Sequence, residues 1–193
     1  MIKIIHRVNE IEQLTNLDCG FGVEMDIHAY GSELVVHHDP FKKGVLLAEW
    51  IKYYKHSFII LNVKEEGVEN EVLKIIKKYR IENYFFLDLT FPALYKMQKA
   101  GEKNIAYRVS EHESVAGAYS LSGKINWIWL DCFYGFPISF ADYEGLKYSG
   151  YKICLVSPEL HGRRSDEIEL MKKYMNIHNM EIDAVCTKFP ELW

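Results

Sequence analysis

Three short motifs within the first 39 residues carry side chains that could act together in catalysis. They are His6-Arg7, Glu24-Met25-Asp26 and His38-Asp39. Glu24 and Asp26 are two residues apart, so in a strand both carboxylates point to one face, about 6–7 Å from each other. Such a pair can share a divalent cation. Two histidines on neighbouring strands can donate and accept protons near neutral pH, so the motifs predict a metal-assisted active site.

Strand-like apolar runs recur along the chain, and amphipathic stretches typical of helices separate most of them. The predicted strands are Ile2–Arg7, Gly22–His28, Glu33–His38, Phe58–Lys64, Tyr84–Leu89, Ile105–Ser110, Trp127–Phe133, Lys152–Ser157 and Asp183–Lys188. The predicted helices are Glu69–Tyr79, Pro92–Ala100, Ser139–Tyr148 and Asp166–Ile177. The second and third strands form a hairpin through a turn at Tyr30-Gly31, and eight strands remain when the third is set aside.

Strands that alternate with helices, without a linker or a shift in composition, predict a parallel sheet covered by helices. We expect one α/β domain over residues 1–193. Eight strands predict a (β/α)8 TIM-type barrel, and because such barrels typically have about 250 residues, we expect an abbreviated one with several helices shortened or absent. A doubly wound open sheet is the alternative, but it needs a glycine-rich phosphate turn, which the sequence lacks.

Polar residues collect where the predicted strands end, which is where active sites of such barrels lie. Beyond the opening motifs they are Asn62, Lys64, Asp88, Arg108, Ser110, Asp131, Ser157, Glu159 and Lys188. A purely structural barrel has no need of charge at every strand end, so the pattern predicts an enzyme with one catalytic mouth. Salt bridges to Arg108 and Lys188 are favoured over substrate contacts for three acids, namely Asp88, Asp131 and Glu159.

The order of these motifs resembles the glycerophosphodiester phosphodiesterase family, whose fold is the barrel of the phospholipase-C-like (PLC-like) phosphodiesterases. The matching segments are His6-Arg7, Glu24-Met25-Asp26, Leu34–Asp39, Asn62-Val63-Lys64 and the final run Ile182–Pro190. The resemblance implies a phosphoric diester hydrolase that acts on a small phosphodiester with a glycerol, sugar or lipid head group, as in lipid metabolism. If a substrate hydroxyl lies beside the phosphate, it could attack first and give a cyclic product.

The resemblance also implies roles for individual residues. Acid–base catalysis would fall to His6 and His38, without a choice of which is the acid, and Asp39 would orient His38. The oxygen ligands for Mg²⁺ or Ca²⁺ would be Glu24, Asp26 and Asn62. Phosphate or substrate contacts would come from Arg7, Lys64, Arg108 and Lys188.

The sequence departs from the family pattern at several positions. Val8 follows His-Arg where the family has glycine, Asn62 replaces the third acidic ligand, and Lys188 replaces a terminal aspartate. Only 18 residues separate Asp39 from Phe58, too few for the small inserted subdomain of many members. An amide oxygen can ligate a hard cation, but with less charge. The alternative function is therefore a catalytically weakened barrel that binds a phosphorylated sugar or lipid head group without turnover.

Composition narrows the remaining classes. A net charge of −4 predicts that the protein has no nucleic-acid partner. The sequence has no run of 18 apolar residues, so no transmembrane segment is expected. The first residues lack a signal-peptide core, and cysteines without C-x-x-C spacing predict buried reduced thiols and a cytoplasmic location. Acids two apart on one strand cannot flank a bond as in a glycosidase, and an amidohydrolase would need His-x-His on the first strand. The oligomeric state stays open.

Two further histidines and two tryptophans lie on the predicted strands. His37 should face away from His38 and is interpreted as structural, whereas His28 shares the face of Asp26 and stays open between structure and function. Trp127 and Trp129 share a face with Asp131 and could form a sugar or lipid platform, but core packing is favoured.

Overall fold

Strands and helices alternate along the computed structural model, which describes all 193 residues. Strands β1 to β10 are Ile2–Ile5, Gly22–Tyr30, Glu33–Val36, Val45–Leu46, Phe58–Val63, Tyr84–Leu87, Ala106–Val109, Trp127–Leu130, Lys152–Val156 and Ala184–Thr187. Helices α1 to α7 are Ile11–Asn16, Leu47–Trp50, Glu69–Lys78, Phe91–Lys99, Val115–Ser120, Phe140–Tyr148 and Glu167–Ile177. Short 3₁₀ helices are Ile51–Tyr53, Pro158–His161 and Pro190–Leu192. Every predicted strand and helix is present in the structure. The strand β4 and the shortest helices were not predicted.

The expected shortening of helices is confirmed in α1, α2 and α5, which have six, four and six residues. The predicted helices are longer and carry clear sequence signals. In α4, Thr90 accepts a hydrogen bond from the N–H of Ala93, and Pro92 occupies the first turn, an arrangement that favours helix initiation. Even the longest helix, α7, has 11 residues, and none has the length and apolar character that crossing a membrane requires.

Two compact units make up the chain, and the first is the N-terminal unit, Ile5–Glu102. Its strands follow the order β4-β3-β2-β5-β6. The strands β2, β5 and β6 are parallel, whereas β3 is antiparallel to both β2 and β4. The predicted hairpin of β2 and β3 is confirmed, and its turn contains Gly31 with φ of +63°, a conformation that glycine adopts without steric cost.

The C-terminal unit consists of Met1–Ile4 and Lys103–Trp193. In this unit β1 lies beside β10, and the order continues through β9 and β8 to β7. The last four of these strands are parallel. Trp127 and Trp129 on β8 are buried, which confirms the interpretation of both as core residues. The single domain expected over residues 1–193 stays a prediction.

The core of the N-terminal unit is built around β2 and β5. Every residue of β5 is buried, as are the first seven of β2, because a parallel strand covered on both faces is apolar almost throughout. Glu24, Asp26 and Asn62 interrupt this apolar pattern and are themselves buried. Burial of charged or amide groups is unfavourable unless they find partners, so these positions need a chemical explanation.

Several predicted strands were too long at their carboxyl ends. The strand β1 ends at Ile5, β3 ends at Val36 and β6 ends at Leu87. Arg7 and Asp88, both placed in strands by the prediction, have φ values of +59° and +60°. A left-handed residue turns the backbone and cannot continue a β-ladder, which is why Arg7 and Asp88 lie in turns beyond the strands.

Candidate active site

The carboxylates of Glu24 and Asp26 lie on one face of β2, and each residue is 1% exposed. The parallel register with β5 places Asp26 opposite Asn62, so all three side chains share that face. This confirms the predicted direction of the two acids and brings Asn62 into the same cluster. Two buried acids this close repel each other, so their positions depend on the donors around them.

Glu24 receives hydrogen bonds on both oxygens. The backbone N–H of Arg7 donates to Oε2 at 2.7 Å, and Nδ2 of Asn62 donates to Oε1 at 2.8 Å. Burial, and then the negative charge of Asp26, nevertheless raises the pKa of Glu24 to about 7. These donors and Lys64 act in the opposite direction, but they do not offset the loss of water. The site would stabilise the carboxylate far better with an additional cation.

Asp26 is held by a second amide and by two basic side chains. Nδ2 of Asn9 donates to Oδ2 of Asp26 at 2.9 Å, while Oδ1 of Asn9 accepts the Asp26 N–H at 3.0 Å. Nζ of Lys64 lies 3.3 Å from Oδ1, and Nε of Arg7 lies 3.8 Å from Oδ2. The predicted phosphate-binding residues Arg7 and Lys64 thus converge on the carboxylate pair. Asn9 was not singled out from the sequence, where nothing marks it.

Lys64 also pairs with Asp88 at the end of β6, with 3.2 Å between Nζ and Oδ2. Its ammonium group therefore lies between two carboxylates of neighbouring strands. Asp88 thus takes part in an ion pair, and Lys64 is a partner that the sequence did not predict. Because Glu24, Asp26 and Asp88 bring acidic groups together here, an additional bound cation would help an anionic phosphate to approach.

His6 lies beside the carboxylate pair. Its Nε2 is 3.9 Å from Oε2 of Glu24, and its side chain is partly exposed. The left-handed turn at Arg7 lets the next N–H groups reach β2, where Val8 donates to the Glu24 carbonyl at 2.7 Å. His6 therefore lies at the edge of the acidic cluster, with part of its imidazole open to solvent.

His38 and Asp39 follow β3 in an exposed loop, where Nδ1 of His38 lies 2.9 Å from Oδ1 of Asp39. The hydrogen bond from His38 lowers the pKa of the Asp39 carboxyl. The loop lies against β2, because the N–H of His37 donates to the Asp26 carbonyl at 3.1 Å. His28 supports it as well, with Nε2 3.1 Å from the His38 carbonyl oxygen. The N–H of Asp39 donates to Nδ1 of His37 at 2.9 Å, as expected for a structural histidine.

A divalent cation would have to rely on an unusual set of oxygen donors. No group of three or more His, Cys, Asp or Glu side chains could hold a metal ion, because the third position of the cluster is an amide. Yet Oδ1 of Asn62 is buried and has no hydrogen-bond partner, an arrangement rare in native proteins. Two carboxylates and this unsatisfied carbonyl oxygen are the donor types that Mg²⁺ and Ca²⁺ prefer. The types of donor therefore fit a hard cation, although Nδ2 of Asn62, and not Oδ1, now lies against the two acids.

The C-terminal unit contains a separate charged cluster. Arg108 on β7 forms an ion pair with Asp131, which is 1% exposed and follows β8. This confirms the favoured ion pair for Asp131. Nε2 of His161 lies 3.0 Å from the other Asp131 oxygen, and the Phe133 ring packs at 4.3 Å from the His161 ring. His161 was missed from the sequence, although its place after a strand end could have drawn attention to it.

The Glu159 side chain contacts the backbone of Lys188, not its ammonium group. Oε1 of Glu159 accepts the hydroxyl of Thr187 at 2.6 Å and the backbone N–H of Lys188 at 2.9 Å. The favoured salt bridge of Glu159 to Lys188 is therefore a hydrogen bond to its main chain. Lys188 itself is exposed, and its predicted role in substrate binding stays a prediction, as does that of Arg108.

Comparison with known proteins supports the fold of this chain. No family model and no curated protein matches the chain. Among solved structures, a glycerophosphodiester phosphodiesterase from Agrobacterium tumefaciens str. C58 aligns with a TM-score of 0.66 and 12% identity, over 100% of this chain and 97% of that one. A glycerophosphoryl diester phosphodiesterase from Parabacteroides distasonis ATCC 8503 aligns with 0.68 and 12%, over 99% and 84%. The likeness confirms the TIM-type barrel fold.

Proposed function

We propose that this chain is a divalent-metal-dependent phosphodiesterase of the glycerophosphodiester type. The observation that carries the proposal is the buried pair Glu24 and Asp26 in one cluster with Asn62, whose Oδ1 is buried and unsatisfied. The fold shared with two solved phosphodiesterases supports the same reaction class. The substrate would be a small phosphodiester with a glycerol, sugar or lipid head group.

In this proposal, Glu24, Asp26 and Asn62 hold Mg²⁺ or Ca²⁺, which would neutralise charge on the non-bridging phosphate oxygens. Lys64 and Arg7, already close to Asp26, add donors to the same oxygens. Their positive charge counters the repulsion between an anionic diester and its nucleophile. Arg108 and Lys188 are proposed to contact phosphate or the substrate's alcohol group.

His6 and His38 would transfer the protons. One imidazole takes a proton from the attacking hydroxyl, which belongs to water or to the substrate itself, and the other gives a proton to the leaving alkoxide. Attack by water yields a phosphomonoester and an alcohol, whereas attack by a neighbouring substrate hydroxyl yields a cyclic phosphate. Asp39 would fix the orientation of the His38 ring through the contact at Nδ1.

A cytoplasmic location is part of the proposal. Burial raises the pKa of the Cys132 and Cys154 thiols well above the ordinary value, so both stay protonated and unreactive. Buried reduced thiols are typical of proteins from reducing compartments.

The direct test is hydrolysis of bis(p-nitrophenyl) phosphate and of glycerophosphodiesters by metal-free protein, with Mg²⁺, Ca²⁺ or Mn²⁺ added back. We expect turnover only with metal, and a loss of about 10²-fold or more in His6→Asn and His38→Asn. His37→Asn is the matched control, since asparagine can keep an acceptor for the Asp39 N–H that His37 now binds. Turnover without metal, or full activity in both catalytic variants, would refute the proposal.

A second candidate is a barrel that binds a phosphorylated sugar or lipid head group without turnover. The observation in its favour is that every oxygen of Glu24 and Asp26 already has a donor within the protein, so the protein's own groups hold the cluster together. Binding of glycerol phosphate measured by calorimetry, with no turnover under any metal, would support this candidate over the enzyme.

A further inference from the structure

The Asn62 side chain uses one end of its amide fully and the other not at all. Nδ2 donates to Oε1 of Glu24 at 2.8 Å and lies 3.3 Å from Oδ1 of Asp26. Oδ1 is buried and lacks a hydrogen-bond partner. The amide therefore bridges the two acids through its N–H groups, while a good acceptor is left unsatisfied inside the protein.

Asn9 contacts the same acid and shows the contrast. Its Nδ2 donates to Oδ2 of Asp26 at 2.9 Å, and its Oδ1 accepts the Asp26 N–H at 3.0 Å. A half-turn of the Asn9 amide would break both bonds and bring its oxygen against the carboxylate. The Asn9 amide is thus held at both ends, whereas the Asn62 amide is held only through Nδ2, by the two acids that would bind the metal.

A half-turn about the last side-chain torsion exchanges the oxygen and nitrogen of an asparagine amide. With the nitrogen toward the acids, Asn62 supplies donors that reduce the repulsion between Glu24 and Asp26. With the oxygen toward them, it supplies a third oxygen ligand for a hard cation. An aspartate at this position could act only in the second way, and would add a third negative charge to a buried pair.

We propose that Asn62 is a two-state amide, which bridges Glu24 and Asp26 through Nδ2 without metal and turns Oδ1 to the cation when metal binds. This inference rests on the metal site of the proposed function and adds the role of this chain's own third ligand. The consequence is that the carboxylate pair stays in place without metal. The site then binds metal with a lower affinity than a site with three acids would have.

The test compares Asn62→Asp, Asn62→Leu and the control Asn9→Asp, which adds the same charge beside Asp26. In metal-free protein we expect Asn62→Asp to lower the Tm by about 4 °C or more, because the donors become a third charge. Mn²⁺, a divalent probe of oxygen sites, should bind Asn62→Asp at least about 10-fold more tightly and Asn62→Leu about 10-fold more weakly than wild type. In Asn9→Asp the Tm should also fall, but the Mn²⁺ affinity should rise by less than in Asn62→Asp.

A spectroscopic readout follows the turn itself. On addition of diamagnetic Mg²⁺, the side-chain ¹⁵N–¹H₂ signals of Asn62 should shift strongly, because its N–H groups leave the carboxylates, while those of Asn9 should change little. An unchanged Tm in metal-free Asn62→Asp, Mn²⁺ affinities that do not depend on residue 62, or static Asn62 signals would each overturn the inference. If the wild-type protein shows these metal-dependent shifts and affinities but hydrolyses no diester, the proposed function alone would be overturned.

Discussion

The Arg7 backbone N–H donates to Oε2 of Glu24 at 2.7 Å, and it does so from a left-handed residue with φ of +59°. A non-glycine residue in this region is strained by roughly 1–2 kcal/mol. Such strain persists where the surrounding contacts determine the backbone, and it is concentrated at functional sites. The turn at Arg7 places its N–H on a buried carboxylate and its guanidinium 3.8 Å from Asp26, so one residue serves the site through both its main chain and its side chain.

These two contributions of Arg7 can be separated with Arg7→Gly and Arg7→Ala. Both variants lack the guanidinium, so we expect kcat/KM for a diester to fall in both to the same degree, by roughly 10-fold or more. Only alanine keeps the steric strain at positive φ, so Arg7→Gly should be more stable than Arg7→Ala by about 1 kcal/mol. Urea unfolding and steady-state kinetics measure the two effects. Equal stabilities would show that the left-handed turn is not retained without arginine.

The protonation of Glu24 should make the metal-free protein less stable as pH rises. Burial and the charge of Asp26 raise its pKa from 4.5 to about 7. Between these values the folded state holds a proton that the unfolded state has released, so the free energy of unfolding falls with rising pH and levels off above about 7. The loss is on the order of 3 kcal/mol. Urea unfolding in EDTA from pH 5 to pH 8 should show it in wild type, and a smaller fall in Glu24→Gln. Parallel profiles for the two proteins would contradict this assignment.

The sequence was sufficient for the carboxylate pair, because period-two spacing on a strand sets side-chain direction without knowledge of the rest of the fold. It was not sufficient for the turns that follow the strands. Arg7 and Asp88 have positive φ values, but neither is a glycine or an asparagine. Nothing in the sequence therefore marked these turns, and the predicted strands were too long. Contacts that depend on loop paths were missed for the same reason, as with Asn9, His28 and His161. The family resemblance supplied roles for the motif residues, but only the structure showed which end of the Asn62 amide faces the acids.

The contact between His38 and Asp39 predicts an effect on catalysis rather than on folding. Asp39 is exposed, and its oxygen lies 2.9 Å from Nδ1 of His38. In Asp39→Asn we expect kcat to fall by about 10-fold or more, because the ring loses the acceptor that fixes its orientation, while the Tm stays within about 2 °C of wild type. Glu33→Gln, an exposed acid on the same hairpin, is the control. An unchanged kcat in Asp39→Asn would remove the orienting role.

Lys64 offers the last test, because its ammonium group lies between Asp26 and Asp88 at 3.3 and 3.2 Å. Lys64→Met keeps the length of the side chain and removes the charge. If Lys64 binds the phosphate, this variant should lower kcat/KM by about 10²–10³-fold. It should also reduce stability by about 1–3 kcal/mol, since a buried acid loses a partner.

The control is Lys96→Met, because Lys96 is 76% exposed and lies 3.9 Å from Glu66. Its stability and turnover should match wild type, as is usual for an exposed ion pair. If Lys64→Met loses stability but keeps full turnover, Lys64 serves only to neutralise the two acids, and the phosphate must find its positive charge elsewhere in the site.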